Sequence, residues 1–148
     1  MLFRSVDDHV TNIIIRGHGS SDQIADVFVT LSGYAGVPAV FKWLSNPDGS
    51  AGLVLAFARL QDKWVMFDVQ RHVVFRNRQG QLADVHELVR DPSLVDQQAR
   101  GTIKGHAYSS LITAQALLPF AVPDTSRSQM QQPWARLRYE LRHGIGLE

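Results

Sequence analysis

The spacing of apolar residues predicts two helices in the first third of the chain. Apolar positions recur three or four residues apart over 5–15 and again over 21–32, which is typical of a helix with one buried face. The expected faces consist of Val6, Val10, Ile13 and Ile14 in the first helix, and of Ile24, Val27, Phe28 and Leu31 in the second. A bend at 17–19 places Ser21 at the start of the second helix. Unpaired backbone N–H groups there favour an anion, so the position suits a nucleophile, although capping serines are much commoner.

The middle of the chain changes to the β-branched and aromatic content of strands. Strands are expected at 39–44, 53–60, 64–69 and 73–75. The second and third form an antiparallel hairpin, because only Gln61, Asp62 and Lys63 separate them. The turn centres either on 62–63 or on 61–62, and these two choices give different registers between the strands.

The rest of the chain favours helices. Asp84 and Glu87 have the spacing of a capping box, and Asp91 followed by Pro92 starts another short helix. The segment 101–105 reads as a turn, and further helices are expected at 106–118 and 133–143. The order of elements predicts an α+β fold in which N-terminal helices pack on a small antiparallel sheet and C-terminal helices follow.

Composition narrows the function classes. A chain of 148 residues with 45% hydrophobic content and a net charge of +1 is expected to form one domain, 1–148, without a nucleic-acid partner. The chain has no cysteine, which excludes disulfides and thiol nucleophiles, and its six histidines lack metal-ligand spacing. We therefore expect no metal and no cofactor. Neither a signal peptide nor a membrane span is recognisable, so the default expectation is a cytoplasmic location, and the oligomeric state stays open.

Two segments together resemble the transglutaminase-like superfamily, which has the papain-like cysteine-hydrolase fold. They are Gly17-His18-Gly19-Ser20-Ser21-Asp22-Gln23, which leads into a helix, and Lys63-Trp64-Val65-Met66-Phe67-Asp68, which forms a hairpin strand. The resemblance covers about residues 6–75 and leaves 84–146 as a helical extension. In that family a cysteine opens the helix, a histidine lies on the first hairpin strand and an aspartate follows the second. The thiol attacks, the imidazole takes its proton and the carboxylate orients the imidazole.

The resemblance implies a degenerate member of that family. Ser21 stands at the cysteine position and Asp68 at the aspartate position, whereas about Leu53, where the histidine belongs, no histidine occurs. A serine hydroxyl needs a base within roughly 2.6–3.2 Å, because it is not ionised near neutral pH. We therefore expect a non-catalytic domain whose cleft binds a peptide-like or glycan-like ligand or a protein partner, with His18 and Trp64 as candidate binding residues. The segment 127–137 is similar to the end of some bacterial members, which suggests a cell-surface polysaccharide context.

Two alternatives stay open. The first is a serine-dependent amidase or acyl transferase with Ser21 as nucleophile, His72 or His18 as base and Asp68 as the orienting carboxylate. His72 lies level with Leu53 only if the hairpin turn centres on 62–63, and falls beyond it if the turn centres on 61–62. The second alternative is a structural domain of a larger assembly, with a filled cleft and an apolar patch elsewhere.

Overall fold

The structure is a computed structural model that describes residues 10–46, 48–99 and 101–112. The elements in chain order are α1 (Val10–Arg16), α2 (Ser21–Tyr34), β1 (Ala39–Ser45), β2 (Gly52–Leu60), β3 (Lys63–Asp68), β4 (Val73–Val74), α3 (Val85–Arg90), α4 (Ser93–Ala99), β5 (Thr102–Ile103), β6 (His106–Ala107) and α5 (Tyr108–Leu111). Helices precede and follow a small antiparallel sheet, so the predicted α+β class is confirmed. The expected helix at 133–143, the segment 127–137 and the ends of two other predicted helices lie outside the described residues.

The sheet is an antiparallel meander with the strand order β1-β2-β3-β4. Leu60 pairs with Lys63, so Gln61 and Asp62 form the two-residue turn of the β2–β3 hairpin, both with positive φ values of 50° and 64°. Such turns match the natural twist of paired strands. This is the second of the two predicted registers. Extending the same residue pairing along both strands places Gln70, not His72, level with Leu53.

One face of the sheet packs against α2. The rings of Phe28 on α2 and Phe67 on β3 have their centroids 5.0 Å apart. The predicted buried face of α2 is wrong at one end, because Leu31 is 49% exposed whereas Ala25 is 2% exposed. An apolar periodicity gives little weight to alanine, yet a small side chain allows a helix to approach a sheet closely. Ile14 of α1, also expected inside, is 50% exposed.

The opposite face of the sheet packs against the C-terminal helices. The core on this side combines alternate strand residues with residues of α3, α4 and α5. Its fully buried large members are Leu44, Leu55, Phe57, Met66, Phe75, Leu88, Tyr108 and Leu111. Since β2 is buried on both of its faces from Leu53 to Ala58, it forms the centre of the fold.

After the sheet, α3 begins at its predicted capping residue, and a short pair of strands is added before α5. The Asp84 carboxylate accepts a hydrogen bond from the backbone N–H of His86 at 2.7 Å, and Glu87 completes the predicted capping box at the start of α3. The predicted turn at 101–105 is narrower than expected, because the short strand β5 lies within this range and only Lys104 and Gly105 form the turn. Neither β5 nor β6 was predicted from the sequence. Because His106 belongs to β6, the following helix begins at Tyr108.

Within the described ranges, no helix combines the length and apolar character that crossing a bilayer requires.

Candidate functional site

The candidate site lies at one end of the sheet. In an antiparallel meander, β1 and β3 end where β2 and β4 begin, so the loops at 46–51 and 69–72 share this end. The N-terminus of α2 reaches the same end, since Ser21 on α2 hydrogen-bonds to Gln70 in the second loop. The fold thus brings Ser21 close to the loop that follows β3.

Ser21 is the first residue of α2, and the capping residue is Ser20. The backbone N–H of Ser20 donates to Oε1 of Gln23 at 3.0 Å, which forms part of a capping box. The Ser21 hydroxyl is therefore not occupied with capping. It donates to Oε1 of Gln70, an amide oxygen contributed by a distant part of the chain.

Neither of the two histidines considered as bases is the partner of the Ser21 hydroxyl. His18 is exposed, and its carbonyl oxygen accepts a hydrogen bond from Nε of Arg16 at 3.1 Å. His72 is exposed in the loop after β3, with a positive φ of 56°. Within the described part of the chain, neither imidazole hydrogen-bonds to Ser21. Leu53, at the family's histidine position, is 5% exposed and belongs to the core on the far side of the sheet from α2.

Asp68 is fully buried and holds the end of β3 against α5. Its carboxylate accepts hydrogen bonds from the backbone N–H of Arg71 at 3.0 Å, from the Arg71 guanidinium at 3.1 Å and from the Tyr108 hydroxyl. The guanidinium carbon also lies 5.7 Å from the centroid of the Tyr108 ring, within the range of a cation–π contact. A buried carboxylate is tolerated when it is paired in this way. The observed partners of Asp68 are thus an arginine and a tyrosine.

Trp64 does not join this group. It lies on β3 opposite Arg59, four positions before Asp68 and next to the hairpin turn. At about 3.3 Å per residue, that spacing separates the two backbones by roughly 13 Å along the strand. Trp64 is half-buried and packs against the core on the α3 side of the sheet.

Sequence patterns alone did not identify Gln70, Arg71 or Tyr108 as residues of this site. Arg71 follows Asp68 by three residues, a spacing that allows a local ion pair, so it had a weak signal. Gln70 is an ordinary polar residue in a loop, and Tyr108 is 40 positions from Asp68. Only the strand register and the packing of α5 bring these side chains to their partners.

Comparisons of the chain with protein-family models, with curated proteins and with solved structures give no match. The likeness to the transglutaminase-like superfamily therefore stays a prediction.

Proposed function

We propose that the chain is a transglutaminase-like domain that lacks the family's catalysis at Ser21, and that the surface around Ser21 binds a peptide-like or glycan-like chain. The observation that carries the proposal is the partner of the Ser21 hydroxyl, the amide oxygen of Gln70. An amide oxygen accepts a hydrogen bond but is far too weak a base to remove the proton of serine, so this contact orients the hydroxyl without activating it.

The same surface offers polar groups suited to a ligand rich in amides or hydroxyls. Gln70 and His18 are exposed, and Ser21 is half-buried as the first residue of α2. A side-chain amide both donates and accepts, which matches the backbone of an extended peptide or the hydroxyl and acetamido groups of a glycan. The glycan choice follows the resemblance of 127–137 to bacterial members.

The absence of activation at Ser21 is tested with a fluorophosphonate, which labels activated serines, followed by peptide mapping in a mass spectrometer. We expect no label on Ser21 in the native chain. The variant Gln70→His places an imidazole at the observed hydrogen-bond acceptor, so it should make Ser21 labelling detectable, whereas the matched Gln70→Asn should not. Label on Ser21 of the native chain would instead favour the serine-dependent alternative with His72 or His18.

Binding is tested by titrating the isotopically labelled chain with a glutamine-containing tetrapeptide and, separately, with a linear N-acetylglucosamine oligomer. We expect amide shifts to concentrate at 18–22 and 69–72 with at least one probe. Gln70→Ala should weaken the binding severalfold, whereas Ser21→Ala should leave it nearly intact. Shifts that are absent with both probes, or that lie far from this end of the sheet, would refute the proposed ligand class.

A further inference from the structure

A second serine at the same end of the sheet lies beside an imidazole. Oγ of Ser50, in the loop between β1 and β2, is 3.3 Å from Nε2 of His106 on β6, although the two residues are 56 positions apart in the sequence. Ser50 is exposed and His106 is half-buried. A serine and a histidine at this separation are the first two parts of an activated nucleophile, and such contacts are often loose in the absence of substrate.

Hydrogen bonds within the loop hold Ser50 in place. The Asn46 side chain donates to Oγ of Ser50 at 2.8 Å and accepts from the backbone N–H of Ala51 at 2.9 Å. The backbone N–H of Ser50 donates to the Asp48 carboxylate at 2.9 Å. Since Asn46 uses a lone pair of the hydroxyl, the single hydroxyl proton is left for one of two neighbouring acceptors, the Asp48 carboxylate or Nε2 of a neutral His106.

The position of His106 is fixed by the helix that follows it. Ser109 on α5 donates to the Asp96 carboxylate from its backbone N–H at 2.9 Å and from its hydroxyl at 2.6 Å. Tyr108 donates to the buried Asp68. His106 lies only two and three positions before these anchored residues, so its backbone is tied to the core through the start of α5.

Asp48 supplies a negative charge next to the pair. Hydrogen bonds from the backbone N–H and the side chain of Ser50, together with attraction to His106, hold the pKa of the Asp48 carboxyl below its usual range. Asp48 therefore stays ionised near neutral pH. A carboxylate here favours the imidazolium that forms when His106 takes a proton.

We propose that Ser50 and His106 form a nucleophile–base pair that accepts an acyl group from an activated ester. Oγ of Ser50 bonds to the carbonyl carbon, and its proton passes to Nε2 of His106. The carbon–oxygen bond to the leaving group then breaks, and the leaving oxygen takes that proton. Water then gives a proton to the same imidazole while its oxygen bonds to the acyl carbon. The bond between that carbon and Oγ of Ser50 breaks, Oγ takes the proton back from the imidazolium, and the free acid leaves. The pair consists of residues other than Ser21 and Gln70, and the inference goes beyond the binding function proposed for the Ser21 surface.

The test uses p-nitrophenyl acetate with the full chain. Release of p-nitrophenol gives the acylation rate, and peptide mapping locates the acetyl group. We expect acetylation of Ser50, its loss in Ser50→Ala and a rate on the order of 100-fold lower in His106→Gln, the lower end of the usual contribution of a general base. Ser45→Ala and His86→Gln serve as matched controls, since both residues are exposed and outside the pair, and they should leave the rate unchanged.

Each result has a defined meaning once circular dichroism shows that the variants are folded. Acetyl-Ser50 that depends on His106 supports the inference. An unmodified Ser50, or an equal rate of Ser50 acetylation in His106→Gln, overturns it and leaves the proposed binding function untouched. Acetylation of Ser21 without acetylation of Ser50 overturns both the inference and the non-catalytic assignment of Ser21. Acetylation of both serines would overturn only the non-catalytic assignment of Ser21.

Discussion

Ser21 and Ser50 lie at the same end of the sheet but differ in what surrounds their hydroxyls. Ser21 has the N-terminus of α2, a setting that favours a negative charge, but its hydroxyl donates to the amide oxygen of Gln70. Ser50 lies in a loop without a helix, yet it has an imidazole at 3.3 Å and a carboxylate within its own turn. The comparison shows that two requirements of a nucleophile come from different parts of a fold. One part supplies the local features that mark its position, and another supplies the base that activates it.

The largest expected difference between the two serines appears when each is replaced by cysteine. In Ser50→Cys, His106 and the thiol form an ion pair that favours the thiolate, whereas in Ser21→Cys only the helix terminus does so. We expect iodoacetamide, at mildly acidic pH, to alkylate Cys at 50 at least about tenfold faster than at the exposed control Ser45→Cys, with Cys at 21 between them. Intact-mass spectrometry over time gives the rates. The comparison fails if Cys at 21 reacts faster than Cys at 50.

A smaller effect is expected at the contact between Tyr108 and Asp68, which supports only one of the two serines. Tyr108→Phe removes a donor from a fully buried carboxylate and should lower the free energy of unfolding by about 2 kcal/mol. It should also slow acylation of Ser50, because His106 precedes Tyr108 by two residues, while leaving ligand binding at the Ser21 surface unchanged.

Urea unfolding followed by circular dichroism measures the stability. Ser45→Ala, on an exposed residue at the end of β1, is the control and should change it by less than about 0.5 kcal/mol. Equal losses in both variants would contradict the assigned role.

The smallest expected effect on stability distinguishes Asp84, which caps α3, from Ser21, which is the first residue inside α2. Asp84→Ala removes the acceptor at the N-terminus of α3 and should cost about 1 kcal/mol of unfolding free energy. Ser21→Ala should cost less than about 0.5 kcal/mol, since Ser20 caps α2 and the lost hydroxyl bond is only partly buried. A loss of 1 kcal/mol or more in Ser21→Ala would show that Ser21 is chiefly a structural residue. The urea concentrations at the unfolding midpoints report both values, provided that the dependence of the unfolding free energy on urea concentration is unchanged.

Features that depend on neighbouring residues were predictable from the sequence. The β2–β3 hairpin follows from two apolar runs with a short polar connection, and the capping box at Asp84 follows from residue types three positions apart. The extent of α2 was predicted well because its glycine-containing start is local. Its buried face was predicted less well, because Leu31 and Ala25 differ in burial according to which side meets the sheet. The register stayed open because Gln61, Asp62 and Lys63 allow two turns, and the positive φ values of the first two residues decide it.

The sequence by itself determined the α+β class, the main strands and the position of Ser21 at a helix start, because each depends on residues a few positions apart. Only the tertiary structure decided the partners of the polar side chains at the end of the sheet. Gln70 meets Ser21 across 49 positions, Tyr108 meets Asp68 across 40, and His106 meets Ser50 across 56. These contacts require the strand register, the packing of α5 and the β5–β6 turn at once. Local propensity carries no information about such pairs, because their energy is gained only after the chain has closed the long loops between them.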